Sequence, residues 1–210
     1  MVKHMNFNVR RYLVFLLGIL VMNLGVSLTV KSEIGAGAYD SINFGLANLL
    51  SINVSIAIWI TSFIVVVISA IIRKRFLKLT TFLTSLIVGI STDMWVMITK
   101  NIVINTNYEK VVIYFIGIFL IAIGIAIYII PRIPVNPTDD LMVALTEEKG
   151  VSIMKAKLAI DTTCIIIAFF LKGPVGVGTL VATVLVGPLV DIINKFILKR
   201  FPQYTSQCVK

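Results

Sequence analysis

The chain has 210 residues and a mass of 23.2 kDa; 58% of its residues are hydrophobic, 14% are charged, and the mean hydropathy is +1.00. A soluble fold of this size leaves too much surface outside to hide that much apolar area, so lipid is the solvent for most of it; a disordered chain and a disulfide-stapled secreted module are excluded as well. The net charge of +9 sits in short segments between apolar runs, without a basic stripe carrying aromatics, which argues against nucleic acid as a partner and for anionic lipid headgroups.

A bilayer core about 30 Å thick needs roughly 20 apolar residues per helix, and six runs qualify in chain order. The first, 12–30, is uncharged, with Asn23 its one strongly polar break; it is too long for a signal peptide and reads as a retained span. A glycine-rich turn, Gly35-Ala36-Gly37, leads to Asp40 and then to Ile42, Leu46 and Leu49 at helical spacing, a short helix. The run 54–72 is uncharged, 79–98 contains Asp93, and 111–130 is uncharged. The proline-rich segment 131–137 cannot lie inside a helix. Asp139 and Asp140 follow it and open a second short helix carrying Leu141, Met142 and Leu145. The run 151–171 contains Lys155, Lys157 and Asp161, and 174–194 contains Asp191. Cys164, in an apolar run, and Cys208, in a polar tail, are not expected to pair.

Fifteen lysines and arginines fall on the side of the N-terminus and only four, Lys31, Lys100, Lys110 and Lys172, on the other. That bias predicts a cell-membrane protein with both termini cytoplasmic and 199–210 as a cytoplasmic tail.

The sequence also repeats itself. Residues 14–40 align without a gap on 113–139 at an offset of 99, matching Gly18 to Gly117, Gly25 to Gly124 and Asp40 to Asp139. Residues 79–95 align on 177–193 at an offset of 98, matching Thr81 to Thr179, Gly89 to Gly187 and Asp93 to Asp191. Apolar matches are cheap here; matched acids are not, in a chain with ten of them. Each copy holds three spans, an odd number, so the two lie upside down relative to one another. The expected fold is one all-α membrane domain: six transmembrane helices in two inverted three-helix repeats, 11–98 and 111–198. Each repeat carries a short helix or a re-entrant segment after its first span. Inverted repeats recur in secondary transporters, with the substrate near midplane.

With these residues in view, the chain resembles the YczE/YyaS/YitT family of bacterial integral membrane proteins, the YczE branch most closely. The likeness rests on Arg11, on Gly18 and Gly25, and on Ala38-Tyr39-Asp40 and Pro137-Thr138-Asp139. The run Gly178-Thr179 through Gly187-Pro188 to Asp191 completes it. It spans about residues 10–200, without the soluble C-terminal domain of the YitT branch, and implies the fold rather than an activity.

Several polar residues could carry function. Asp40 and Asp139 are either N-caps of surface-lying helices or the tips of re-entrant segments whose N-termini, with Tyr39 beside the first, meet near the centre and bind substrate or a coupling ion. Asp161 lies about ten residues into its span, roughly 15 Å deep; Lys157, one turn earlier on the same face, makes either a structural pair with it or leaves it as a proton or ion relay. The first copy has Ile64 at the matching position. Asp93 and Asp191 each follow a glycine, Gly89 or Gly187, by one turn and read as structural, as do Gly25 and Gly124 at close helix contacts. Asn23, matched to Ala122, bonds another helix or faces a cavity.

Nothing in the sequence points to an enzyme. The one histidine, His4, is in the N-terminal tail, no metal cluster is spaced for ligation, and there is no Walker loop, nucleophile elbow or dinucleotide fingerprint. No cofactor is expected. The leading expectation is a small secondary transporter of an unidentified solute or ion, coupled to protons through Asp161, with Asp40 and Asp139 near the path. The alternative is a non-transporting membrane factor assisting a partner, for example in making or exporting a secondary metabolite. A homodimer is compatible with so small a chain.

Overall fold

The computed structural model describes residues 7–200 other than 75, 78, 132, 134 and 135. His4, Cys208, the 201–210 part of the tail, and five cations used for orientation (Lys3, Arg75, Lys78, Arg132 and Lys210) lie outside the described residues. Among those described, the structure is all-helical: α1 Phe7–Lys31, α2 Ala38–Leu50, α3 Val54–Arg73, α4 Leu79–Thr99, α5 Asn107–Ile129, α6 Pro137–Lys149, α7 Ile153–Phe170 and α8 Val177–Arg200.

Local chemistry sets the boundaries. Thr106 and Glu109 form a reciprocal capping box that starts α5. Pro137 occupies the first turn of α6, where its missing N–H costs nothing. Ser51 and Gly150 end the two short helices in the left-handed conformation. One expectation is corrected here: Asp40 and Asp139 are not N-caps. Gly37 and Asn136 hold those positions, because each helix begins two residues before its aspartate. Both carboxylates stand instead in the first turn, where the helix dipole favours negative charge.

Among the described residues, five helices are long and apolar enough to cross a membrane: Val9–Lys31 of α1, α3, α4, α5, and Val177–Ile197 of α8. The run 151–171 does form a helix, α7, but Lys155, Lys157 and Asp161 within its 18 residues keep it outside that set.

The helices pack as two groups. In the first, α1 lies along α5, α4 on α1, and α8 on α5. Glycines bring α1 and α5 together: a side chain on Gly25 would begin 2.5 Å from the Gly117 carbonyl oxygen, and one on Gly124 would overlap Met22 backbone. Phe15, Ile19, Met22, Val26, Ile121 and Tyr128 fill the seam. Trp95 donates to the Leu20 carbonyl at 2.9 Å, binding α4 to α1, and Tyr114 donates to the Gly178 carbonyl at 2.6 Å, binding α5 to α8. In the second group α2 packs on α3 and α7, and α6 on α3 and α7.

The groups meet chiefly where α3 packs on α4. There Gly89 admits Trp59 and Ser55, and the Asp93 carboxylate accepts the Ser55 N–H at 3.1 Å, satisfying one of the free donors at the start of α3. The matching pair in the second copy departs from its expected packing role. Gly187 has nothing within 4 Å of where a side chain would begin, and Asp191 is exposed, because α7 makes no comparable contact with α8.

Candidate functional site: a carboxylate-lined cavity between the helix groups

Both short helices point their N-termini at one cavity of about 180 Å³ between the two groups. The second group contributes Tyr39, Asp40 and Asn43 from α2, Asp139 from α6, and Lys157 and Asp161 from α7. Facing them are Asn23 of α1, Val88 of α4, Ile121 and Tyr128 of α5, and Thr183 of α8. Asn23, Val88 and Thr183 belong to the middle stretches of their helices. All five residues expected along a solute path, Asn23, Tyr39, Asp40, Asp139 and Asp161, therefore line a single space. They are 138 positions apart at the extremes (23 to 161) and come from four helices.

The polar groups are held in different ways. Asn23, 1% exposed, donates to the Val88 carbonyl at 3.0 Å, linking α1 to α4. The Tyr39 hydroxyl lies 3.0 Å from both Thr61 and Ser62 on α3, and Thr61 donates to Asn43 at 2.6 Å. Tyr128 donates to Asp139 at 3.2 Å. Lys157 and Asp161 form an ion pair at 3.0 Å one turn apart. Asp40 has no hydrogen bond or ion pair among the described residues, and its carboxylate lines the cavity beside Gly37. The wall thus carries three carboxylates against one ammonium. Such a set can bind a cation or exchange protons with one.

Two parts of the site escaped the sequence reading. Asn43, 1% exposed, belongs to the wall and anchors the Tyr39–Thr61 network; its spacing of three residues from Asp40 was the available signal. The second part lies just outside. Arg73, at the end of α3, forms a buried ion pair with Asp140, donates to the Asp140 carbonyl at 3.0 Å and to Ser69 at 3.0 Å, and lies 3.5 Å from Glu147. This pair holds α6 to α3 and so sets the aim of the neighbouring Asp139. Beyond the cavity an apolar crevice of about 380 Å³ runs between α3, α6 and α7 past Ile64, Ile68, Leu145 and Cys164. It shares Tyr39, Thr138 and Ile160 with the polar space. Among the described residues no group of three His, Cys, Asp or Glu could hold a metal ion.

The apolar helices and the polar cavity between them define a helical, multi-pass membrane protein. The chain matches a family described as a family of unknown function (DUF6198) over residues 9–195, and it belongs to that family. It is similar to the uncharacterized protein YyaS of Bacillus subtilis, 29% identical over 91% of this chain and 96% of that protein. With the uncharacterized membrane protein YczE of the same organism it shares 23% identity over 96% of this chain and 91% of YczE. An uncharacterized protein of Haemophilus influenzae is 22% identical over 89% of this chain and 84% of that protein. No solved structure matches.

Proposed function

We propose that the protein is a small secondary transporter whose solute path runs through the cavity between the helix groups, with proton coupling at Asp161. In this reading α7 is a sixth span, with Lys155 and Lys157 near its cytoplasmic end, and the two copies lie inverted in the membrane with both termini cytoplasmic. The short helices α2 and α6 are then re-entrant segments. Support comes from the pairing of elements across the copies: α2 and α6 are both 13 residues long, and each follows its predecessor after a comparable connection.

One observation carries the proposal: carboxylates from three helices, Asp40, Asp139 and Asp161, line one cavity whose opposite wall is the middle of apolar helices. Acidic groups are costly at that depth and accumulate where ions or protons pass. The excess of carboxylate over ammonium favours a cationic solute. The Lys157–Asp161 pair places an acid and its partner cation beside the path.

Reconstitution into vesicles with an imposed pH gradient tests this. Proton-coupled flux is expected in the parent protein and is lost in Asp161→Asn, while the variant keeps its elution profile and helical content. Flux of every tested solute at the level of empty vesicles, together with co-purification of a partner, would favour the membrane-factor alternative.

A further inference from the structure

We infer that the two helix groups rock against one another, and that α7 closes onto α8 in a second state as α3 releases α4. The inference rests on the inverted-repeat reading above and concerns the movement that gives the cavity access to each side.

Exchanging the copies turns α1 into α5, α2 into α6, α3 into α7 and α4 into α8. Every contact inside a group survives the exchange. The α1–α5 seam maps onto itself, α1–α4 maps onto α5–α8, α2–α7 onto α6–α3, and α2–α3 onto α6–α7; all are present. Only the contacts between the groups fail. α4 packs on α3 and, less extensively, on α6, whereas α8 makes no comparable contact with α7 or α2. The asymmetry is therefore confined to the boundary across which the cavity lies. Two similar halves with one unequal boundary are what a rocking movement leaves at one end of its range.

The unequal boundary has specific parts. Gly89 is closed against Trp59 and Ser55, and Asp93 holds the Ser55 N–H. Gly187 faces open space, and Asp191 has no hydrogen bond or ion pair among the described residues. Only 6% of the central stretch of α8 is buried, against 33% for α4. The far end of the α7–α8 pair is already tied to the α1–α2 connection, through Ala36 N–H to the Pro174 carbonyl at 2.9 Å and Gly178 N–H to the Ile34 carbonyl at 3.1 Å. The gap therefore opens at the start of α7 and the second half of α8, the cytoplasmic end in the proposed orientation. In the second state Gly187 receives α7, Asp191 accepts an N–H from the first turn of α7, and the Ser55–Asp93 contact is released. A contact of one kind is exchanged for another of the same kind, so both states are accessible and a ligand or substitution can shift the balance between them.

Cysteine pairs in full-length protein in vesicles, with Cys164 and Cys208 replaced by Ser, test the movement. The pair S55C/D93C reports the contact seen here, and M154C/D191C, which takes the second residue of α7 as Ser55 is the second of α3, reports the second state. Both should form disulfides under mild oxidation. Gly187→Leu has room in the present state and none in the second; it should cut the M154C/D191C yield roughly tenfold while sparing S55C/D93C. Absence of the 154–191 disulfide where 55–93 forms, or an unchanged yield with Gly187→Leu, overturns the inference. Should the D191C pair fail to fold, a single T183C decides: a membrane-impermeant maleimide should label it from both sides in the parent but only from the cytoplasmic side with Gly187→Leu. One-sided labelling in both also overturns it. Flux without the 154–191 disulfide keeps the transporter and removes the rocking; the disulfide without flux does the reverse.

Discussion

The two short helices dock at matching places by different chemistry. α2 rests on the end of α7 through backbone proximity: Gly173 lies against the Ser41 carbonyl, Gly45 against Gly173, and the Ser41 hydroxyl donates to the Pro174 carbonyl at 3.2 Å. α6 rests on the end of α3 through charge, with Arg73 on Asp140 and Ser69 bridging to Asp140 at 2.7 Å. Ser41 and Asp140 match at the offset of 99, and Arg73 and Lys172 stand at corresponding places, at the end of α3 and just past the end of α7; yet Lys172 is exposed where Arg73 is buried. Close approach of backbones needs the absence of a side chain, while a charge pair away from water needs both of its members. The same geometry is therefore fragile to opposite kinds of substitution.

The largest effect is expected on the charged side. Arg73→Met removes one member of a buried ion pair, a change that costs roughly 3–5 kcal/mol for pairs of this kind. Its unfolding temperature in detergent should fall steeply, and Arg73→Met with Asp140→Met should recover much of the loss. A single variant that melts with the parent would mean that the pair does not hold α6. On the backbone side, Gly173→Ala drives a methyl group into the Ser41 carbonyl, an overpacking that costs roughly 1–3 kcal/mol. Lys172→Met beside it should be silent, whereas at the equivalent position the loss of charge is the larger effect. If Lys172→Met proved as damaging as Arg73→Met, the contrast between the docks would be lost.

Much of this architecture is legible in the sequence, and the reasons for the gaps are physical. The helix pattern and the two short helices follow from periodicity, from Gly35–Gly37 and from the proline segment, all local signals, although the expected span over 151–171 forms a helix outside the set long and apolar enough to cross a membrane. Among the acids of the cavity, Asp161 stands out as a charge in an apolar run, and Asp40 and Asp139 stand out as a matched pair at the offset of 99. Arg73 does not stand out: at the end of a span it reads as orientation signal, and its partner Asp140 is 67 residues away. Asn43 hides as an ordinary polar residue of a short helix. The difference between Gly89 and Gly187 does not show in the sequence, where the two residues align; it lies in what packs on them, Trp59 and Ser55 on Gly89 and nothing within 4 Å of Gly187.

The outer ends of the α1–α5 seam repeat the contrast at smaller scale. Arg11 and Lys110 are equivalent at the offset of 99. Arg11 donates twice to the Pro131 carbonyl, a neutral acceptor, whereas Lys110 pairs with the Glu33 carboxylate. The Lys110 ammonium, through its hydrogen bond and its charge, holds the Glu33 carboxyl below its ordinary value of 4.5. A carboxyl lowered in the folded state stabilises fully above its ordinary value, and the contribution is lost as pH falls through the lower, folded one. Glu33 is largely exposed, so salt screens the pair and the effect is the smallest of those considered. Between about pH 6 and about pH 3 the parent should lose slightly more thermal stability than Glu33→Gln, and the difference should shrink in high salt. Equal acid sensitivity in the parent and Glu33→Gln would mean that Lys110 does not hold the Glu33 carboxylate in solution.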